Sequence, residues 1–316
     1  MRRLYWIILV VAVATPTFGQ LNSHTALQDA LVLENGGNFD TAAKIAKAAI
    51  DSGQLSRNEL GRGYIIFAVA SEGAGDLANA RMAFEHALQV LEHDREHPED
   101  YASALESYAG LYSLLGQLDV ALRMWEKAFH LRERIGDHSG TALSLTRLAE
   151  VALARNRLRE ARRYLQKASD AMLASDLGDD GEAFFLETQG WLAIAEHEAP
   201  AAVASYQNAL ELVKRSRGEQ HWLAGWDHML LGKAYAEAGD LKSALANMQA
   251  GLTILDHALG QKNPKYLVAE LAYSRVLDQS GLHAEAAQMR AASEKASKDY
   301  YGSQCAGCTI NVTAFR

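Results

Sequence analysis

The chain alternates small and large apolar positions on a period longer than any single helix. Ala42, Ala80, Ala121, Ala161, Ala202, Ala244 and Ala286 lie 38, 41, 40, 41, 42 and 42 residues apart. Four residues after each stands Ala46, Phe84, Trp125, Leu165, Tyr206, Met248 or Arg290, mostly large and apolar. Seven after each stands Ala49, Ala87, Ala128, Ala168, Ala209, Gly251 or Ser293, all small. Offsets of 0, 4 and 7 fall on one face of an α-helix. Twelve before each is another small residue: Ala30, Ala68, Ala109, Ala149, Gly190, Gly232 or Ser274. Five before each is Gly37, Gly75, Gly116, Asn156, His197, Gly239 or Gly281, the place for a turn. Each unit predicts two helices packed closely where small residues meet, the first ended by a residue that accepts positive φ. Such a hairpin cannot bury its own apolar face alone. Seven copies therefore predict an all-α solenoid of stacked helix-turn-helix units.

The pattern resembles the tetratricopeptide repeat family across residues 20–298. The likeness is best in LESYAGLYSLLGQLDVALRMWEKAF (105–129) and HMLLGKAYAEAGDLKSALANMQAGL (228–252). A period near 41 resembles the longer-repeat, kinesin-light-chain-like subgroup, whose repeats are often joined at a His-Pro or Asn-Pro hinge. HDREHPED (93–100) and LGQKNPKYL (259–267) are similar to that hinge. The last copy, with Arg290 and Ser293 at core positions, reads as a terminal cap.

The resemblance implies a right-handed superhelix whose concave wall, lined by the first helix of each hairpin, holds a protein or peptide without catalysis. The family's inward sites fall here on Arg62, Glu72, Glu106, Glu150, Glu187, Trp191, Trp226, Lys233, Glu237, Arg275 and Asp278. Acids dominate the middle of that wall, and Lys233 and Arg275 stand near its C-terminal end. Trp191 and Trp226 read as aromatic anchors, the alternative being that they fill gaps between repeats. The clamp that grips a C-terminal carboxylate needs Lys at a set inward site, where this chain has Leu27, Ile65, Glu106, Thr146, Glu187, Met229 and Leu271. An inward Asn ladder is also missing, its places being held by Gln28, Ile66, Ser107, Arg147, Thr188, Leu230 and Ala272.

Composition agrees with helix. Of 316 residues, 55 are Ala and 4 are Pro, the best and worst helix formers. Hydrophobic residues at 49% and charged residues at 22% exclude wholesale disorder. The net charge of −8, with no basic stretch, argues against nucleic acid as a partner. At the N-terminus Arg2 and Arg3 precede an apolar run from Leu4 to Ala14, broken by Thr15-Pro16 before Thr17-Phe18-Gly19. This predicts a signal peptide over 1–19, cut after Gly19, with an uncleaved anchor as the alternative. Eleven residues fall short of the roughly 20 that span a bilayer as a helix. Removing two of 31 basic residues leaves 29 against 39 acidic ones, or −10. The mature chain is then expected to be periplasmic or extracellular, from a bacterial host, without an integral membrane span.

Two motifs bear on chemistry. His93-Asp94-Arg95-Glu96-His97 matches the metal-hydrolase pattern H-x-x-E-H, but Pro98 follows directly and the hinge overlaps it. Cys305-Ala306-Gly307-Cys308 is a C-x-x-C followed by Thr309, so it lacks the His of haem attachment, and no second pair supplies a zinc site. A local disulfide is the preferred state, with free or intermolecular thiols as alternatives. The tail, 299–316, breaks the helical pattern at Tyr300-Tyr301-Gly302, and Thr309–Phe315 alternates as a short strand. That strand needs a surface to dock on, which admits self-association. The expectation is an exported, non-enzymatic scaffold with a protein or peptide partner and no cofactor or metal. The alternatives are a metal or thiol enzyme at His93/Glu96/His97 or Cys305/Cys308, and a self-assembling structural protein.

Overall fold

The computed structural model describes residues 23–304, with side chains through Tyr300. The signal peptide, the C-x-x-C and the tail strand lie outside the described residues. Fourteen helices and no strand occur among the described residues. They pair in order as seven antiparallel hairpins. The first four are α1 (Ser23–Asn35) with α2 (Phe39–Asp51), α3 (Arg57–Ala74) with α4 (Leu77–Leu91), α5 (Pro98–Leu114) with α6 (Leu118–Ile135), and α7 (His138–Ala154) with α8 (Leu158–Met172). The last three are α9 (Gly178–Ala195) with α10 (Ala199–Arg217), α11 (Trp222–Glu237) with α12 (Leu241–Leu259), and α13 (Pro264–Gln279) with α14 (His283–Gln304). The fold is a right-handed superhelical solenoid of seven repeats. No described helix is long and apolar enough to cross a membrane.

The small-residue positions are the crossing points. Ala42, Ala80, Ala121, Ala161, Ala202, Ala244 and Ala286 are all fully buried, as are Ala30, Ala68, Ala109, Ala149 and Ser274 opposite them. The large residue four positions on lies across the first helix. A Cβ at Gly190 would lie 2.7 Å from the Tyr206 ring, and one at Gly232 would lie 2.5 Å from Met248 Cγ. The turn positions behave as their residue types require. Gly37, Gly75, Gly116, Gly239 and Gly281 take φ of 74–86°, and the two non-glycine members, Asn156 and His197, take 57° and 62°. Both hinge prolines stand at the first turn of a helix, Pro98 in α5 and Pro264 in α13, where no backbone N–H is needed.

Successive hairpins are tied by apolar packing and by ion pairs. Arg132, buried in α6, is held by Glu106 (2.6 Å) and Ser103 (3.0 Å) of α5 and by Asp137 at the start of α7, and Ser144 donates to the same Glu106. Arg155–Asp119 and Arg162–Glu196 bridge neighbouring hairpins at 2.5 Å each, and Arg215–Asp179, also 2.5 Å, ties α10 to α9 within the fifth.

Seven hairpins bring the two ends of the array together. His221, the N-cap of α11, accepts from the Leu223 N–H through Nδ1 (3.2 Å). Its Nε2 donates to the carbonyl of Asn35 at the end of α1 (2.7 Å). Asn263, the N-cap of α13, accepts from the Lys265 N–H (2.9 Å) and donates to the Gly73 carbonyl in α3 (3.1 Å). Tyr300 of α14 donates to the Gly75 carbonyl (2.8 Å). The superhelix is thus a closed ring over its single turn.

The structure departs from the sequence reading at the last helix. Helix α14 runs on to Gln304, past the expected break at Tyr300, because Tyr300 is anchored on Gly75 and extends the last repeat's packing. Residues 92–97 form a turn, in keeping with the hinge read over 93–100: the Asp94 carboxylate accepts from the Glu96 and His97 N–H groups, and His97 stands at the N-cap position of α5.

Placing a branched side chain at one of these crossings tests its role. Gly190→Val should cost about 2–3 kcal/mol through overpacking against Tyr206, seen as a fall in melting temperature of about 5–10 °C. An unchanged melting temperature would remove this crossing from the constraints on the fold.

Candidate functional site

The odd-numbered helices from α5 to α13 turn their faces to the inside of the ring and enclose a cavity of about 270 Å³. Trp125, Trp191 and Trp226 give it an aromatic lining, and Arg147, Glu150 and Lys265 give it charge. Each side chain reaches it for a local reason. Arg147 and Glu150 are one turn apart on α7 and paired at 2.8 Å, and the Arg147 guanidinium stacks on Phe184 of α9 at 3.9 Å from the ring centre. Glu187 stands one turn before Trp191 on the same face of α9. Lys265, in the first turn of α13, sits over the Trp222 ring at 5.2 Å. Trp125 is buried, its Nε1 donating to the Glu106 carbonyl (3.2 Å), so it forms the floor, while Trp191 and Trp226 are half-buried.

The helices of this lining also carry a pair of neighbouring carboxyls, one buried and one half-buried. Asp227, next to Trp226 on α11, is 1% exposed, and neither of its oxygens accepts a hydrogen bond from a described donor. Its neighbour is Glu187. Burial, then the Glu187 charge, push Asp227 well above the usual carboxylate range, so Asp227 holds the proton and donates to Glu187. Burial and the nearby Glu150 raise Glu187 to about 7, against the pull of the Asp227 hydrogen bond and Arg147. Tyr206 of α10 lies against both acids, and its hydroxyl is raised by burial and by their charges. Glu72 of α3 is raised by burial, opposed by Lys265 and Arg147 from across the ring. Glu34 of α1 is raised the same way, opposed by Arg217.

Of the expected wall residues, the structure brings Glu72, Glu150, Glu187, Trp191 and Trp226 together. Lys233, Glu237 and Arg275 form a second group on α11 and α13. Lys233 is buried there, which lowers it to about 8, while Arg275 and Glu237 are exposed. Arg62 stands apart, 4.0 Å from Asp100, and Asp278 is paired with His283 (2.8 Å) at the far end of α13. Glu106 is engaged by Arg132 and Ser144 within the repeat junction. The acidic middle expected from the sequence also contains Arg147 and Lys265. Curvature carries Lys265 there from the sixth and seventh repeats' boundary. Asp227 was not foreseen, being read as part of a helix whose periodic positions are apolar. His93 and His97, off any common helix face, do not form the metal pair of the alternative reading, and no group of three His, Cys, Asp or Glu side chains is placed to hold a metal ion among the described residues.

Residues 100–174 match the family model described as tetratricopeptide repeat. No curated protein matches the chain in sequence. Among solved structures, a Rap protein complexed with competence and sporulation factor is 12% identical with a TM-score of 0.66, over 89% of this chain and 78% of that one. The apo form of RapI is 11% identical with a TM-score of 0.62, over 90% and 100%. A chain of the APC/C hetero-tetramer Cut9–Hcn1 is 18% identical with a TM-score of 0.61, over 85% of this chain and 46% of that one. At these identities the likeness is one of fold.

The buried pair sets a pH dependence. Both carboxyls keep a proton to higher pH in the folded than in the unfolded chain, so the native state binds more protons between the ordinary Glu value of 4.5 and about 7. Stability must therefore fall as pH rises through that window. Asp227→Asn supplies a permanent donor to Glu187. It should raise stability at pH 8 by on the order of 1–3 kcal/mol and leave it near wild type at pH 5. Thermal melts at both pH values check this, and equal shifts at the two would refute a shared proton.

Proposed function

We propose that this tetratricopeptide-repeat solenoid is an exported, non-catalytic scaffold that binds a protein or peptide against the inner wall of its ring. The observation that carries the reading is the half-buried pair Trp191 and Trp226 around a cavity that the repeat packing does not require. Every crossing residue of the repeats is already buried without it, and aromatic side chains beside charges are what binding hot spots are made of. Further support comes from the Rap protein of the same fold, which was solved in complex with competence and sporulation factor. Export is supported by the basic, apolar and small-residue order of Arg2 to Gly19.

A photo-reactive amino acid placed at Trp191 or Trp226 should cross-link a second polypeptide in envelope extract of the host. The same group at Arg159, exposed on the outer helix α8, should not. Trp191→Ala should weaken capture at least tenfold, about 1.4 kcal/mol or more. Equal cross-linking from Arg159 would move the binding surface off the inner wall. Mass spectrometry of the chain from its host should read a start at Gln20, and a start at Met1 would refute cleavage.

A further inference from the structure

The chain as a whole is acidic, with 39 acidic residues against 31 basic ones, yet the lining of the inner cavity reverses that balance. Its charged members are two bases, Arg147 and Lys265, and one acid, Glu150. Glu150 is already engaged by Arg147 at 2.8 Å. Lys265 forms no ion pair among the described residues; its ammonium lies over the Trp222 ring at 5.2 Å. Pro264 and Lys265 open α13, so the positive end of that helix adjoins the cavity as well. The cavity therefore carries one positive charge in excess.

The rest of the lining is mostly apolar. Leu114, Leu118, Val151 and Val268 give it aliphatic surface, and three indoles stand among them. Trp191 is half-buried, and its N–H donates to no described acceptor. A donor of this kind beside an unmatched cation favours an acceptor that bears negative charge. An apolar pocket with a few polar groups is the build of a small-ligand site. Its volume of about 270 Å³ lies just under the usual range of roughly 300–1,000 Å³, so an occupant must be compact.

We propose that the cavity binds a small aromatic carboxylate: one planar ring among the three indoles, its carboxylate turned to Lys265, with the Trp191 N–H as a further donor. This lies beyond the scaffold reading, because the site is complete without a partner on the wall. Indole walls favour an aromatic body over an aliphatic one of equal area, through offset and edge-on ring contacts. The head group decides the rest. A carboxylate neutralises the cavity, a neutral amide leaves Lys265 without a counter-charge, and an ammonium meets two cations against one acid. Arg147 does not compete for the role of Lys265, being held by Glu150 and by the face of Phe184.

3-Phenylpropionate, its amide and 3-phenylpropylamine share a ring and a short arm and differ in the charge of the head. Titrated calorimetrically into the full chain, 3-phenylpropionate should bind saturably at one site. The amide should bind at least about tenfold more weakly, and the amine more weakly still. Lys265→Gln should weaken the carboxylate to the level of the amide. Lys44→Gln, which removes the same charge from an exposed position on α2, should change nothing. The three heads are compared in the unaltered chain, so the result stands even if Lys265→Gln lowers the melting temperature. Equal binding of carboxylate and amide, tighter binding of the amine, or no saturable binding of any of the three would overturn the inference. If 3-phenylpropionate binds as expected and no polypeptide cross-links at Trp191 or Trp226, the scaffold reading fails and this one stands. If a polypeptide cross-links there and 3-phenylpropionate does not bind, this inference fails alone.

Discussion

Within each hairpin a small residue of the first helix lies under the large side chain of the second, and this contact sets the angle at which the next hairpin is laid down. Interiors this close-packed have little room to flex. The seven alanines at the crossing are fully buried, and the small residue opposite is reduced to Gly where Tyr206 or Met248 must lie across it. Because the contact repeats with nearly constant spacing, its small rotation also repeats and adds up. The curvature that makes an inside and an outside is a property of the crossing alone. So is the placing of Lys265 among acids more than a hundred residues earlier in the chain.

Closure of the ring uses side chains that are already employed. An N-cap needs one acceptor atom, and His221 and Asn263 each offer a second polar atom, which reaches a carbonyl on α1 or α3. The carbonyls they reach, with that of Gly75 under Tyr300, belong to the ends of the first helices, where intrahelical partners run out. A neutral hydrogen bond contributes about 1 kcal/mol net. Three of them, with Trp222 set against Gly37, are a weak join beside the apolar packing between consecutive hairpins. In a solenoid stability is a sum of nearest-neighbour contacts, and the seam is the junction outside that sum.

The repeat was legible because it is written seven times. Small residues at three offsets and a turn residue at a fourth agree copy by copy, and even the non-glycine turns at Asn156 and His197 have the positive φ their position requires. The site was legible only in part. Glu150, Glu187, Trp191 and Trp226 could be placed on the wall because they follow the repeat register. Asp227 could not, since a carboxyl in an apolar stretch of α11 has no periodic signature and gains meaning only from Glu187 on the neighbouring helix. Lys265 and the two capping clasps were hidden for a related reason. Their partners lie 190 residues away for Asn263 and 186 for His221, and no local pattern encodes where a superhelix will meet itself. Glu106 follows the inward register, and the register carries no sign of its pairing with Arg132 in the junction.

That pair also gives the measure for the acids of the cavity. Arg132 and Glu106 are a buried ion pair with hydrogen bonds from Ser103 and Ser144 and a second carboxylate from Asp137, which is how a fold accommodates charge when the purpose is structural. Glu187 and Asp227 have no such provision. A third acid, Glu150, faces them, burial raises both, and an apolar pair of the same size would be more stable at neutral pH. Native chains retain local violations of this kind where something other than stability is at stake. Here the violation sits on α9 and α11, the helices that also carry Trp191 and Trp226, and every other raised carboxyl named above likewise lies on the first helix of its hairpin, α1 or α3. Destabilisation at neutral pH is thus confined to the first helices of their hairpins, which give the inside of the ring its lining.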